Sequence, residues 1–169
     1  MNWNEMKRLY LVRHAKSDWG KPGLADFDRP LNKRGKKDAP KMGEHLKSVW
    51  QVKPDYVLCS TAKRAQATAK RLLKALEYPK DQIVWQERIY SGHSTDILDL
   101  VRRIDSGCEQ VMVIGHNPDI TELINDLTGS DIFDVPTCGV AGIDLDIDVW
   151  QDVASGKLVF FEVPKQIDS

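Results

Sequence analysis

Two arginines and two histidines are distributed over three short segments that each follow an apolar run. Arg13 and His14 follow the run at 8–12, Arg64 lies in the segment STAKR after the run at 55–59, and His116 follows the run at 110–115. The arginine guanidinium is a planar, permanently charged fork that fits phosphate oxygens. If each run is a strand of an open α/β sheet, the three segments meet at its carboxyl edge. The spacing therefore predicts an anion-binding pocket, most simply for a phosphoryl group.

A histidine in such a pocket could also act as a nucleophile. A neutral imidazole can attack phosphorus and form a covalent phosphohistidine, which divides one displacement into two steps. Its reference pKa of about 6.5 permits the neutral form near pH 7, and neighbouring arginine charges oppose protonation. A lone histidine at a strand end is more often structural, and a lone arginine in a first helical turn is more often solvated. The joint placement of these residues at three strand ends favours catalysis.

The elements that position these residues follow from an alternation of apolar runs and helical periodicity. Strands are predicted at 8–12, 55–59, 83–86 and 110–115. Helical periodicity is clear at 62–76, 96–105 and 118–128, and a helix with an irregular first turn near Asn32 is expected within 33–50. At the start of the helix 118–128, Asn117 is expected to be the cap and Pro118 the first helical residue.

Two further strands are expected near the end of the chain, at 140–146 and 157–163. The first of them alternates apolar and polar residues, which is typical of a strand at a sheet edge with one wetter face. Strand–helix alternation followed by a hairpin predicts an α/β fold. The expected architecture is a three-layer α/β/α sandwich whose sheet is mostly parallel, with a mixed edge.

Composition and charge exclude several classes of function. The 169 residues favour one domain over 1–169, with 41% hydrophobic and 29% charged residues. A net charge of −1 gives no overall field for nucleic acid or an anionic membrane, so neither is an expected partner. No apolar run approaches the ~18 residues of a membrane span, and the first residues show no signal-peptide pattern. Three cysteines without metal-ligand spacing favour reduced thiols and a cytoplasmic location.

The motifs at these strand ends resemble those of a known family. The segment Leu-Val-Arg13-His14-Ala15 is similar to the signature of the histidine phosphatase superfamily, which includes the cofactor-dependent phosphoglycerate mutases. Four further segments are similar to the SixA-type phosphohistidine phosphatase branch: DRPLNKRG at 28–35, STAKRA at 60–65, GHNP at 115–118 and PTCGV at 136–140. The resemblance runs from about residue 9 to residue 164 and implies a phosphoglycerate mutase-like fold.

The resemblance also implies a role for each matching residue. His14 would be the nucleophile that accepts the phosphoryl group, and Arg13 and Arg64 would clamp its oxygens. His116 would complete the pocket as a donor and electrostatic stabiliser. Ser17 matches a position close to the phosphate in relatives, which implies a supporting role in substrate binding. Neither a metal ion nor an organic cofactor is implied.

This chain departs from other branches of the family where a proton donor is concerned. Mutase-like relatives carry Glu and Asn where this chain has Lys16 and Gly20, and the phytase-like branch carries Asp where this chain has Asn117. Glu87 is the candidate general acid, and the alternative is a surface carboxylate paired with Arg88. A weak acid is tolerable for a phosphoramidate, whose leaving nitrogen can be protonated before cleavage, whereas an alkyl phosphate needs the acid more.

The sequence therefore predicts a metal-independent phosphatase that forms a phosphohistidine on His14. A protein phosphohistidine is the preferred substrate class, and the short segment between Ser91 and Thr95 suggests a pocket open to a protein side chain. One alternative is a broad phosphomonoesterase for sugar or nucleotide phosphates, with Glu87 as its acid. A second alternative is a phosphate-binding module without turnover. Mutase activity is the least expected.

Overall fold

A computed structural model describes residues 6–167 and shows one six-stranded mixed sheet. Its strands are β1 (Met6–Arg13), β2 (Tyr56–Ser60), β3 (Val84–Gln86), β4 (Gln110–Gly115), β5 (Val140–Asp146) and β6 (Lys157–Glu162). Their order across the sheet is β3-β2-β4-β1-β5-β6. Residues 1–5 and 168–169 lie outside this description. They include the two ends of the predicted 1–169 domain and part of the N-terminal stretch that shows no signal-peptide pattern.

Helices connect the strands. The α-helices are α1 (Lys33–Trp50), α2 (Lys63–Ala75), α3 (Glu87–Ser91), α4 (Ser94–Arg102), α5 (Asp119–Thr128) and α6 (Pro164–Ile167). Three short 3-10 helices lie at Asp26–Asp28, Lys80–Gln82 and Trp150–Asp152. Within the described residues, no helix is both long and apolar enough to cross a membrane.

Apolar residues from both faces of the sheet form two core clusters, one on each side. Tyr10 and Val12 of β1 pack in the cluster that contains Met42 of α1 and Leu72 of α2. Leu9 and Leu11 of the same strand pack in the other cluster, against α4 and α5. Because successive strand residues point to opposite faces, a continuous apolar run in β1 serves both layers. The predicted three-layer α/β/α sandwich is confirmed.

The sheet is parallel at its centre and antiparallel at one side. β4 runs parallel to β1 and β2, and β2 runs parallel to β3. β5 is antiparallel to β1 and β6, which confirms the mixed edge. The expectation that β5 is itself an edge strand is wrong, because β6 covers its outer side. Its polar Asp144 is partly buried and accepts a hydrogen bond from Arg8 Nε of β1 (2.6 Å).

α1 begins regularly, so the expected irregular first turn is also wrong. The Asn32 side chain caps the helix by accepting a hydrogen bond from the Gly35 N–H (2.9 Å). Gly35 is needed for another reason: a Cβ at this position would overlap the carbonyl of Lys16. The glycine lets the first turn of α1 pack directly on the loop that follows His14.

The start of α5 differs by one residue from the prediction. The helix begins at Asp119, and Pro118 occupies the cap position that was expected for Asn117. The Asn117 side chain still accepts a hydrogen bond from the Thr121 N–H in the first turn of α5 (3.3 Å), as a capping side chain does. Its Oδ1 accepts a hydrogen bond from Thr121 Oγ1 (2.8 Å), and its Nδ2 donates to the Val135 carbonyl (2.9 Å). Asn117 thus joins the first turn of α5 to the segment before β5.

Candidate active site

The backbone at the end of β1 is held in place from two sides. The His14 N–H donates to the Gly115 carbonyl at the end of β4 (3.0 Å), and the Arg13 N–H donates to the Gly139 carbonyl (3.1 Å). The Cys138 N–H donates to the carbonyls of both Arg13 and His14 (3.1 and 3.0 Å). Cys138 adopts a left-handed conformation with φ 60°, which turns its N–H toward them. These bonds fix His14 at the carboxyl edge of the sheet.

The tautomer of His14 leaves one nitrogen free to act as a nucleophile. Nδ1 lies 2.7 Å from the Ala15 carbonyl, and since a carbonyl can only accept, Nδ1 carries the proton. Nε2 therefore keeps its lone pair, and Arg64 Nε points toward it at 3.4 Å. Burial lowers the pKa of His14 to about 3, and the nearby charges of His116, Arg64 and Arg13 add to this, against the hydrogen bond to Ala15. The ring is neutral at physiological pH.

Arg64 is brought to His14 by the first turn of α2. Its side chain is buried beside the imidazole although it carries a permanent charge. Thr68, one turn later in α2, accepts a hydrogen bond from the Ala15 N–H (2.9 Å) and donates one to the Arg64 carbonyl (2.8 Å). A single hydroxyl thus joins the loop of the predicted nucleophile to the turn that carries its neighbouring arginine.

His116 lies next to His14, with ring centroids 5.1 Å apart. Its Nε2 lies 2.7 Å from Ser60 Oγ, which already accepts a hydrogen bond from the Ala62 N–H (3.1 Å). The Ser60 hydroxyl can donate a proton to Nε2 or accept one from it, and the other ring nitrogen of His116 is Nδ1. That nitrogen has no hydrogen-bond partner among the described residues. Burial lowers the pKa of His116 to about 4, with the Arg64 charge adding to it.

Only part of the Arg13 guanidinium is hydrogen-bonded. Nη1 donates to the Val135 carbonyl (2.8 Å) and lies 3.8 Å from an Asp134 oxygen. Nε is buried and has no hydrogen-bond partner in the described residues. Leaving a buried cationic donor without a partner is costly. The structure therefore brings Arg13, His14, Arg64 and His116 to one edge of the sheet.

Ser17 is buried near the site. Its hydroxyl binds Arg29, an arginine to which we assigned no role from the sequence. Its Oγ accepts a hydrogen bond from Arg29 Nη1 (2.5 Å). The guanidinium of Arg29 stacks on Trp19, 3.4 Å from the ring centroid. Arg29 stands inside the segment DRPLNKRG, so a signal existed. The residue types alone did not show that it folds back toward the site. Ser60 was missed for the same reason.

Glu87 is not linked to the four central residues. Its Oε2 accepts a hydrogen bond from Ser91 Oγ (2.9 Å), and within residues 6–167 no hydrogen bond or ion pair joins it to them. The alternative pairing with Arg88 is wrong, because Arg88 binds the carboxylates of Asp96 and Asp99 at 2.8 and 3.2 Å. Those two carboxylates lie on the adjacent α4 and outcompete a neighbour in sequence for the guanidinium.

Tyr90, one turn after Glu87 on α3, contacts the site instead. Its ring lies 5.6 Å from that of His116, and its hydroxyl donates to Asp26 Oδ2 (2.9 Å). A cleft of about 500 Å³ opens here, lined by Asp26, Arg64, Tyr90, Gly92, His93, His116, Asn117, Pro118 and Asp119. In the part of the chain that the structure describes, no three His, Cys, Asp or Glu side chains group as a metal site would require.

Comparison with known proteins agrees with this geometry. The model of the histidine phosphatase superfamily (branch 1) matches residues 9–88, which include Arg13, His14 and Arg64. The structure of SixA from Agrobacterium tumefaciens, a candidate phosphohistidine phosphatase, is 30% identical, with a TM-score of 0.79 over 94% of this chain and 99% of that one. The chain belongs to the histidine phosphatase superfamily. The resemblance of its motifs and its phosphoglycerate mutase-like fold are both confirmed.

Two further relatives of this histidine phosphatase cover nearly the whole chain. SixA from Nakamurella multipartitia, also a candidate phosphohistidine phosphatase, is 25% identical, with a TM-score of 0.78 over 94% of this chain and 96% of that one. An uncharacterised protein of Mycobacterium tuberculosis is 31% identical over 166 residues, covering 91% of this chain and 100% of its own. The family and the SixA relatives support phosphatase activity on a phosphorylated substrate.

Proposed function

We propose that the protein is a cytoplasmic, metal-independent phosphatase that removes phosphoryl groups from phosphohistidine in other proteins, with His14 as its nucleophile. One observation carries this proposal. His14 presents an unprotonated Nε2 inside a group of buried cationic donors, with Arg64 Nε 3.4 Å away. A nucleophile with a lone pair beside permanent positive charge is suited to attack on a phosphoryl group.

The reaction has two displacements. In the first, the lone pair of His14 Nε2 forms a bond to phosphorus, and the bond from phosphorus to the leaving nitrogen breaks, with its electron pair remaining on that nitrogen. In the second, water attacks the phosphohistidine, the bond from phosphorus to Nε2 breaks, and phosphate leaves. Arg13, Arg64 and, in its Nδ1-protonated tautomer, His116 stabilise the charge on the transferring oxygens.

The arrangement of carboxylates favours a phosphoramidate over an alkyl ester. Glu87 is engaged by Ser91 and is not joined to the central residues. Burial raises the pKa of Asp26, but hydrogen bonds from Tyr90 and the Arg64 and Arg29 charges outweigh it and lower that pKa overall. An ionised carboxylate cannot donate the proton that an alkoxide leaving group needs, whereas the nitrogen of a phosphoramidate can take its proton from water before cleavage.

The surroundings of the site support a protein-borne substrate. Only Gly92 and His93 separate α3 from α4 at the rim of the cleft, so no large insertion covers it there. Phosphohistidine is the substrate named for the SixA relatives, which supports the same class here. The three cysteines are free thiols, which supports a reducing compartment.

The test is phosphate release by the wild type and by His14→Ala. The substrates are a protein phosphorylated on histidine with phosphoramidate, para-nitrophenyl phosphate and a sugar phosphate. We expect the phosphohistidine protein to be preferred, and His14→Ala to lose activity by about 10³-fold or more. Activity that survives this substitution would refute the covalent mechanism.

Two other outcomes would favour the alternative functions. Faster turnover of the sugar phosphate, with a large loss in Glu87→Gln, would favour a small-molecule phosphomonoesterase. Tight phosphate binding without release from any substrate would favour a binding module. Glu87→Gln with unchanged activity on the phosphohistidine protein would support the proposal, because that leaving group needs no acid from Glu87.

A further inference from the structure

The carboxylate of Asp26 occupies the donors of the cleft. Asp26 begins the short 3-10 helix Asp26–Asp28, in the loop between β1 and α1. Its Oδ2 accepts hydrogen bonds from Arg64 Nη2 (3.1 Å) and from the Tyr90 hydroxyl (2.9 Å). Its Oδ1 accepts one from Arg29 Nε (3.1 Å). The carboxylate therefore sits among two guanidinium groups and a phenol, as a bound anion would.

The hydrogen bonds of Arg64 show how closely Asp26 is bound in the cleft. Each of the three Arg64 nitrogens has a partner: Nε points to His14 Nε2, Nη2 donates to the Asp26 carboxylate, and Nη1 donates to the Asp26 carbonyl (2.8 Å). Two of the three partners come from Asp26. Three of the five N–H groups of Arg64 are thus engaged, two of them by Asp26, and a phosphoryl group at His14 would share this guanidinium with Asp26.

The segment that carries Asp26 is not built into the core. Residues 19–28 are all exposed, and half of the Asp26 side chain is accessible to solvent. Beyond Asp26, ring contacts hold the segment: Phe27 packs edge-on against Tyr90, with centroids 5.1 Å apart, and Trp19 stacks on Arg29. A segment with little buried surface can leave its position at low cost. Asp26 can therefore be displaced without unfolding the rest of the site.

We propose that Asp26 is a specificity-determining residue that acts as an internal competitor for phosphoryl groups. This inference rests on the proposed function only in that the cleft accepts a phosphoryl group. While Asp26 holds Arg29 and Arg64, free phosphate must displace a carboxylate or lie beside its charge, and like charges at this distance repel. Inorganic phosphate and small dianionic esters therefore bind weakly. Product phosphate is also released readily, because Asp26 returns to its donors.

The test is the affinity of the intact protein for inorganic phosphate, measured by isothermal titration calorimetry and as competitive inhibition of para-nitrophenyl phosphate hydrolysis. Asp26→Asn keeps the shape and an acceptor oxygen but removes the charge, and Asp26→Ala removes both. We expect phosphate to bind about tenfold more tightly to Asp26→Asn, equal to about 1.4 kcal/mol, and at least as tightly to Asp26→Ala.

Asp28→Asn is the matched control. Asp28 lies on the same 3-10 helix, is exposed, and makes no side-chain hydrogen bond to the cleft in the described residues. Its substitution removes the same charge from the same segment and should leave phosphate affinity within about twofold of the wild type, as expected of a screened surface charge. An equal gain in Asp28→Asn would show a general charge effect and overturn the proposal.

Unchanged or weaker phosphate binding in both Asp26 variants would also overturn it, because Asp26 would then orient the arginines for the ligand rather than compete with the ligand. Calorimetry with phosphate requires no turnover. The expected gain in a protein that hydrolyses no substrate would therefore uphold the role of Asp26 while refuting the proposed function, and an active enzyme without the gain would do the reverse.

Discussion

The two ends of the central sheet differ in whether their polar groups have hydrogen-bond partners. Where β2 and β4 begin, Asp55 Oδ2 accepts hydrogen bonds from the N–H groups of Glu109 and Gln110 (both 2.9 Å). At the same end, Lys7 Nζ donates to the carbonyls of Ser106 and Cys108 (2.7 and 3.1 Å). These charges meet backbone groups of the opposite polarity, so they close loops and need no further partner.

At the carboxyl end, the buried donors are left incomplete. Arg13 Nε and His116 Nδ1 have no partner within the described residues, and burial lowers the pKa of both His14 and His116. Buried polar groups in proteins are almost always hydrogen-bonded. Of the four buried side-chain atoms that lack a partner in the described residues, three lie at this end (Arg13 Nε, Thr61 Oγ1 and His116 Nδ1), and the fourth, Trp50 Nε1, lies at the end of α1. We therefore expect an external anion to bind at the carboxyl end.

Cavity size and the position of unpartnered polar atoms favour different ends of the sheet. A cleft of about 680 Å³ lies beside the start of β2, larger than the cleft of about 500 Å³ at the carboxyl end. Its lining includes Lys47, Lys53 and Glu77, of which Lys47 and Glu77 already form an ion pair (3.1 Å). Polar groups that satisfy one another do not need a ligand, so chemistry is the better guide than volume.

The largest effect is expected at the carboxyl end, from Arg64→Ala. Loss of the guanidinium removes a preorganised positive charge beside His14, and we expect kcat/KM on the phosphohistidine protein to fall about 10²- to 10³-fold. Arg64→Lys should recover only part of this, because an ammonium lacks the planar fork. Steady-state kinetics would measure both variants.

Lys63→Ala provides the matched control for Arg64. Lys63 is the preceding residue on α2 and is exposed, so its loss should leave kcat/KM within about twofold. Comparable losses in Lys63→Ala and Arg64→Ala would mean that the first turn of α2, rather than the buried guanidinium, supports activity.

The second prediction concerns pH and the stability of the carboxyl end. The pKa of His14 falls from 6.5 to about 3 on folding. Between about pH 3 and pH 6.5, His14 is therefore protonated in the unfolded chain and neutral in the folded protein. Stability therefore rises with pH through this window and is lost as the pH falls below 6.5. Between pH 7 and pH 5, His14 should account for a loss of about 2 kcal/mol in the free energy of unfolding.

Urea unfolding of the wild type and His14→Ala at pH 7 and pH 5 would measure this loss. The variant should lose about 2 kcal/mol less than the wild type over the same interval. Equal losses would show that His14 titrates alike in both states, and would contradict the assignment of a neutral nucleophile.

The smallest effect on activity is expected at the opposite end, from Lys7→Met. Lys7 is buried and its ammonium closes the loop at 106–108, so its loss should lower the free energy of unfolding by about 1–2 kcal/mol. We expect kcat/KM to stay unchanged, because this charge lies across the sheet from the cleft. Lys47→Met, which removes an exposed ion pair at the same end, should change stability by less than about 0.5 kcal/mol. A clear loss of kcat/KM in Lys7→Met would break the contrast between the two ends.

Local sequence patterns predicted most of the fold. The apolar runs became β1, β2, β4 and β6 within one or two residues, and the helical periodicity of 62–76 became α2. The misplacement of β5 in the sheet has a specific cause: alternation of residues describes the two faces of a strand, whereas β6 pairs with the edge of β5, which the alternation does not report. The ion pair between Asp144 and Arg8 joins two strands far apart in sequence, so the residue pattern of neither strand predicts it.

The sequence by itself determined which residue types stand at the carboxyl ends of the strands, and so the chemistry of Arg13, His14, Arg64 and His116 and the family to which the chain belongs. That information is local, since a strand end and the first turn of the next helix are adjacent in sequence. The tertiary structure alone decided the roles of Ser60, Arg29 and Asp26 and the isolation of Glu87. These depend on which groups meet across 12 to 64 residues of chain, where hydrogen-bond geometry, burial and competition between neighbours select the partners.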